Sequence, residues 1–342
     1  MKLHFLVTGD INALTGGYLY NKKIAEGLTQ RGFLVQMISL PGPESDKQKT
    51  ENECLAQFRK LERGSHVLAD SLVMGTLHRV IRKFRDRLDI VGLVHLPVTF
   101  DPVSGDRNKI LAGFELEAMN NVRHLIVTGR YMMKMLVNAG VSPERISLVE
   151  PGVDNFPRKQ DYALLPYELL CISNYSPLKA QLVLIKALSR LRNRNWSLQL
   201  YGNRSTGREY LAELESRISN EKLADRVRIH DKLDHGEITA PFLKSDLFVL
   251  PSLFESYGMV LTESLAHGIP VVTTMGGNIP ETVPSSMGIF TRPGNAEDLT
   301  SALDELFTDQ KKYSSLCKAA SGYYRQARPW KSAVDEWERI LR

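Results

Sequence analysis

The sequence predicts an α/β chain with parallel sheets and two domains, on three observations. At 342 residues the chain is long for one core and comfortable for two. Residues 247–274 read as an apolar strand, a loop, a helix and a second strand within 28 residues. Residues 3–39 repeat that order at the start of the chain. Each is a βαβ unit, which requires parallel strands and a right-handed crossover.

Composition narrows the class. A hydrophobic fraction of 43% and a charged fraction of 24% describe an ordinary globular chain without low-complexity tracts. Cys54, Cys171 and Cys317 lack metal-ligand spacing, and their odd number argues against a disulfide framework. A reducing, cytoplasmic setting is expected. Residues 1–10 carry too short an apolar run for a signal peptide and read as a strand. No apolar run reaches the roughly 18 residues of a membrane span. The net charge of +5 suits an anionic substrate or a membrane surface and proves neither.

Taken in order, the strand at 3–8 leads into Gly9-Asp-Ile-Asn-Ala-Leu-Thr-Gly-Gly17 and a helix expected from 18 to about 30. No Gly-x-Gly-x-x-Gly is present and no acid ends the second strand, which counts against a dehydrogenase. Gly16 and Gly17 alone read equally as a plain turn. Residues 77–88 are basic and amphipathic: Leu77, Val80, Ile81, Phe84 and Leu88 recur at helical spacing among five Arg and Lys residues. This stretch is a candidate for peripheral membrane contact, beside the plainer reading of a solvated surface helix. Nucleic-acid binding has no accompanying motif. The apolar run 90–94 ends at His95, where open α/β sheets place ligand contacts, although a lone histidine is more often structural. Strand 125–130 ends at Arg130, before a helix over 131–138.

The polar stretch 155–165 reads as an interdomain linker. A strand at 168–173 runs into Asn174-Tyr-Ser-Pro-Leu-Lys179 and a helix to about 191. Further strands are expected at 197–202 and 226–230, with a helix at 209–220 between them. In 247–274, Glu255 precedes the helix and Glu263 lies on it, with seven residues between them. Gly258 opens the helix, and Gly268-Ile-Pro270 closes it as a glycine cap followed by proline. The amides of Tyr257, Gly258, Met259 and Val260 are the donors such a helix start leaves unpaired, and they favour an anion. A phosphate there would have Glu255 on one side and Glu263 about 7 Å further along the axis. A nucleoside diphosphate sugar has that layout. The tail 328–341 is a helix with Trp330, Val334, Trp337 and Leu341 on one face.

The stretch Phe254-Glu-Ser-Tyr-Gly258, with Glu263 and Ala266-His-Gly-Ile-Pro-Val-Val272, resembles the signature of retaining glycosyltransferases of GT-B fold, family 4, of the group 1 type. The resemblance runs through Gly276-Gly-Asn-Ile-Pro-Glu281 and covers nearly the whole chain. It implies two Rossmann-like domains facing across a cleft: an acceptor-binding domain at 1–155, a nucleotide-sugar-binding domain at 165–325, and a helix at 326–342 crossing back. Glu255 would contact the donor sugar and Glu263 the ribose. His95 would hydrogen-bond the sugar, Gly16 and Gly17 would lie against the donor phosphates, and Arg130 would face the cleft. Lys179 matches the lysine that grips the diphosphate, but Ser173 and Asn174 stand where the family has Gly and Arg. Asparagine carries no charge and cannot form the bidentate fork of arginine; Arg204 or Arg208 is a candidate substitute. The implied activity is glycosyl transfer from a UDP- or GDP-sugar to a hydroxyl acceptor, without metal or cofactor. A nucleotide-sugar epimerase and a non-catalytic donor-binding partner subunit are the alternatives.

Overall fold

The computed structural model describes residues 1–8, 15–41, 47–103, 109–165, 168–192 and 195–342. The chain forms two compact units, Met1–Pro151 with Trp330–Arg342, and Gly152–Pro329. The boundary after the first unit therefore falls at 151, and residues 155–165 lie within the second unit rather than between units. That polar segment is tied down by side chains: Lys159 Nζ donates to Asp246 Oδ1 at 2.7 Å, and the Tyr162 hydroxyl donates to the Gly268 carbonyl at 2.8 Å.

The first unit alternates strands and helices: β1 (Lys2–Thr8), α1 (Gly16–Gln30), β2 (Leu34–Leu40), α2 (Lys47–Lys60), β3 (His66–Asp70), α3 (Ser71–Phe84), β4 (Asp89–Val94), α4 (Lys109–Asn120), β5 (His124–Val127), α5 (Arg130–Asn138) and β6 (Ile146–Leu148). All its strand pairs are parallel, in the order β2-β1-β3-β4-β5-β6. Strands such as β1 and β4 are buried almost end to end, as expected for a sheet covered on both faces. Gly16 and Gly17 belong to the first turn of α1, not to the loop before it, because the Thr15 side chain caps the Tyr18 amide and starts the helix early. The rest of the glycine-containing loop, 9–14, lies outside the described residues.

The basic stretch 77–88 is the second half of α3 and its exit. Leu77, Val80, Ile81, Phe84 and Leu88 are all buried. The apolar face that a lipid contact would use is spent on the core of the unit, as in the plainer surface-helix reading, and the charged face is partly paired, as in Arg82 Nη1 to Glu117 Oε1 at 2.7 Å. No helix among the described residues is long and apolar enough to cross a membrane.

The second unit contains β7 (Glu168–Ile172), α6 (Gln181–Ser189), β8 (Ser197–Tyr201), α7 (Arg208–Asn220), β9 (Val227–His230), α8 (Thr239–Lys244), β10 (Leu247–Leu250), α9 (Met259–Ala266), β11 (Val271–Thr274), α10 (Ile279–Thr282), β12 (Gly288–Thr291), α11 (Ala296–Thr308) and α12 (Gln310–Ser321). Its strands are also all parallel, in the order β12-β11-β10-β7-β8-β9. The strand order reverses between β7 and β10, and such a reversal opens a crevice at the strands' carboxyl ends where ligands bind. The final helix, α13 (Trp330–Leu341), belongs to the first unit. Its buried Trp337 donates from Nε1 to the Tyr20 hydroxyl at 2.8 Å, and Tyr20 donates onward to the Val149 carbonyl at 2.9 Å. Arg31 on the exit of α1 pairs with both Asp335 and Glu338 of α13.

Candidate active site

The strongest constellation sits at the β7/β10 reversal of the second unit. β7 delivers Ser173, Asn174 and, through a short 3-10 turn, Lys179. β10 delivers Ser252 and Glu255. Lys179 Nζ meets Glu255 Oε1 at 2.6 Å, and the Ser252 hydroxyl donates to the same oxygen at 2.6 Å. Glu255 is 9% exposed and the Lys179 side chain 23%. The pair is thus half-desolvated, which strengthens the attraction and makes loss of either partner costly.

A second loop holds that carboxylate in place. The Glu255 carbonyl accepts from the Asn278 amide at 2.8 Å, and the Thr282 hydroxyl donates to the Tyr257 carbonyl at 2.7 Å. The stretch 276–281, read from sequence as support for the fold, is this brace.

Helix α9 starts at Met259 behind Gly258, whose φ of +87° needs a glycine and whose N-cap position has no side-chain cap. The helix start over 257–260 thus carries no side-chain cap, and a helix N-terminus favours an anion. At its other end α9 closes through Gly268 in the left-handed region. Glu263 is 9% exposed. His235 stands beside it, Nδ1 at 3.9 Å from Glu263 Oε1, while its Nε2 meets Asp154 Oδ2 at 2.7 Å.

His267, inside the signature, is structural. Its Nδ1 donates to the Glu263 carbonyl at 2.7 Å, and its ring stacks between Phe156 and Phe242 with centroids 4.3 and 4.6 Å away. Burial lowers its pKa to about 4.

Asn174 gives the turn after β7 a neutral lining. Its carbonyl and the Ser173 hydroxyl both accept from Gln181 Nε2 at 2.9 Å, and its side chain makes no hydrogen bond among the described residues. Arg204, a candidate substitute for the missing arginine, is paired with Glu215 at 3.0 Å.

The first unit brings a different set together at its own reversal, between β1 and β3. His95 follows β4, and its Nε2 lies 2.9 Å from Asn21 Oδ1 of α1. Asn21 Nδ2 donates to Asp70 Oδ2, at the end of β3, at 2.7 Å. Gly17 packs against this ring: a methyl there would touch His95 Cδ2 at 3.4 Å. Burial pushes the His95 pKa below the usual imidazole value, against the pull of Asp70. Arg130, the first residue of α5, is exposed and joins neither this cluster nor any other hydrogen bond or ion pair among the described residues.

Sequence reasoning did not single out Asn21, Asp70, Ser252 or His235 as side chains of the site. Asp70 carried the same signal as His95, a polar residue ending an apolar strand run. Asn21 carried none, because a polar residue inside an amphipathic helix looks like its solvent face.

Residues 154–322 match the family model described as glycosyl transferases group 1. A D-inositol 3-phosphate glycosyltransferase of Thermobifida fusca is 30% identical over 214 residues, which is 57% of this chain and 49% of that protein. An MMP alpha-(1->4)-mannosyltransferase of Mycolicibacterium hassiacum is 26% identical over 196 residues, 56% of this chain and 47% of that one. The chain thus spans about half the length of these curated relatives. Among solved structures, a sucrose-phosphate synthase from Thermosynechococcus elongatus shares a TM-score of 0.84 at 18% identity, covering 99% of this chain and 98% of that one. Anabaena Alr3699/HepE in complex with UDP-glucose gives 0.80 at 19% identity, covering 100% and 99%. The fold is the GT-B arrangement, and residues 154–322 match the group 1 glycosyl transferases.

Proposed function

We propose that this chain moves a sugar from a nucleoside diphosphate sugar to a hydroxyl acceptor, with retention at the anomeric carbon. The observation that carries the reading is the β7/β10 reversal, where one cation, an uncapped helix start and two largely buried glutamates occupy one crevice edge. A diphosphate on the α9 amides would be met by Lys179, and both would stabilise the charge that grows on the leaving group. The anomeric carbon–phosphate oxygen bond breaks, a bond to the acceptor oxygen forms on the same face, and the acceptor's proton passes to the leaving phosphate. Glu255 orients the sugar and holds Lys179, and Glu263 accepts from the ribose hydroxyls.

In the first unit, His95 is assigned to a sugar hydroxyl and Gly17 to the packing that seats its ring; Gly16 and Arg130 remain candidate contacts. Binding of UDP and UDP-glucose by Alr3699/HepE favours a UDP-sugar, with a GDP-sugar next. The reading needs no metal, so turnover should survive EDTA.

The neutral Asn174 favours one second reading, a non-catalytic donor-binding subunit. Thermal stabilisation by UDP-, GDP-, ADP- and TDP-sugars, with Glu263→Ala as control, tests the donor site. A ligand at 100 times its Kd adds about 2.7 kcal/mol. One donor shifting the wild type and not the variant supports the site; no shift from any donor overturns it. Nucleotide release with an acceptor panel, and the anomeric configuration of the product, then separate transferase from subunit. Conversion of donor without acceptor would mark an epimerase.

A further inference from the structure

Three polar side chains in the first unit, contributed by α1, β3 and the exit of β4, form a chain of hydrogen bonds with one direction. A carboxylate only accepts, so the nitrogen of the Asn21 amide must face Asp70 Oδ2, 2.7 Å away. The other carboxylate oxygen accepts the Leu72 amide at 2.9 Å, as the cap of α3. With its nitrogen so engaged, Asn21 turns its oxygen to His95 Nε2 at 2.9 Å, and an amide oxygen cannot donate. The imidazole proton is thereby placed on Nε2. Asp70 itself is 3.7 Å from that nitrogen, too far for a hydrogen bond, so it acts only through Asn21.

Asn21 and Asp70 are each 2% exposed, so water does not compete for these contacts. The remaining surroundings of the ring are specified too. The His95 amide donates to the Ser71 hydroxyl at 3.3 Å, Tyr20 meets the ring edge-on at 5.5 Å, and Gly17 covers the Cδ2 edge. Nδ1 is left as a lone pair with no hydrogen-bond partner among the described residues, and it is not among their buried, unpartnered atoms.

We propose that Asn21 and Asp70 are positioning residues that lock His95 as the neutral Nε2–H tautomer, making its Nδ1 an obligatory acceptor for a hydroxyl of the sugar substrate. The identity of that ligand rests on the glycosyl-transfer reading; the lock does not. A ring held this way selects for a group that donates and rejects one that offers only lone pairs. The depressed His95 pKa works in the same direction, since an imidazolium would donate from both nitrogens.

The test is long-range proton–nitrogen correlation of the ring nitrogens in protein labelled with nitrogen-15 at its 8 histidines, with His95→Gln to assign the signal. The expected wild-type pattern is a protonated Nε2 and a bare Nδ1. Asp70→Asn keeps the α3 cap, since asparagine caps as well as aspartate. It lets the Asn21 amide flip, and both tautomers should appear. Asn21→Leu should do the same without touching the cap. A wild-type ring protonated on Nδ1, or an Asp70→Asn ring unchanged from wild type, overturns the lock, whatever the enzyme transfers. Titration with UDP-glucose and its singly deoxygenated forms tests the acceptor role. The Nδ1 resonance should move with UDP-glucose and fail to move with one deoxy form. A bound donor that leaves Nδ1 unmoved overturns that role, while leaving glycosyl transfer to stand on its own assay.

Discussion

Each unit of this protein carries a strand-order reversal, and the two reversals are furnished in opposite ways. Between β7 and β10 the furnishing is ionic: Lys179 against Glu255, a helix start without a side-chain cap, and Glu263 one and a half turns along. Between β1 and β3 it is a hydrogen-bonded relay, with Asn21 passing the orientation of the Asp70 carboxylate to His95. Topology chooses where a ligand can approach, because strand ends and helix starts converge there in both sheets. Chemistry is chosen by the few residues just beyond each strand. An ionic crevice suits a diphosphate, and a relay of fixed donors and acceptors suits hydroxyls.

The largest expected break in the comparison is Lys179→Ala. Removing a donor that stabilises leaving-group charge should lower kcat/KM by on the order of 10²–10³-fold, read in a nucleotide-release assay. The fold should lose about 1–3 kcal/mol, because Glu255 keeps Ser252 but loses its cation. A loss in kcat/KM below about tenfold would mean that the ionic character of this crevice is not what drives transfer.

Next in size is the pH effect of one histidine in the second unit. His267 is held neutral with a pKa of about 4, against an ordinary value near 6.5. The unfolded chain therefore binds the extra proton first on acidification. The contribution is fully present above about pH 6.5 and is lost as pH falls toward 4, roughly 3 kcal/mol in all. Denaturant midpoints measured across that window should fall, and His267→Gln should flatten the fall. An unchanged slope in the variant would remove His267 as the source.

Asn174→Arg sharpens the contrast by adding charge. A guanidinium at the end of β7 should tighten donor binding about tenfold, or 1.4 kcal/mol, and the gain should shrink as salt is raised. Unchanged affinity would show that the neutral turn lies off the diphosphate. The smallest effect is expected at the other reversal. His95→Ala should cost about 1 kcal/mol in kcat/KM, the worth of one neutral hydrogen bond, and should be insensitive to salt. A large salt-dependent loss would erase the distinction between the two sites.

Much of this molecule was legible before folding was considered. Parallel α/β architecture followed from buried strand runs, and α9 was bounded correctly because Gly258 and Gly268 are local requirements for positive φ. The Lys179–Glu255 partnership had only indirect signs, since the two lie 76 positions apart and no periodicity links them. Other features were less legible. The stretch 77–88 admitted two readings, a surface helix or a lipid contact, because hydrophobic spacing says only that a face will be covered, not by what; its apolar residues are buried. The stretch 155–165 looked like a linker because polarity resembles solvation until Lys159 and Tyr162 are seen to spend it on Asp246 and Gly268.

By itself the sequence determined the local quantities: strand and helix type, the caps, the open α9 start, and the spacing of Glu255 from Glu263. Backbone sterics and short-range hydrogen bonding act over a few residues, so a few residues suffice to read them. Only the tertiary structure decided which distant polar groups meet. It made His267 a neutral spacer between two phenylalanines, and it joined Asn21, Asp70 and His95 into one directed chain. Those outcomes depend on burial and on the geometry of contact across the fold, where a donor's only available acceptor lies tens of residues away.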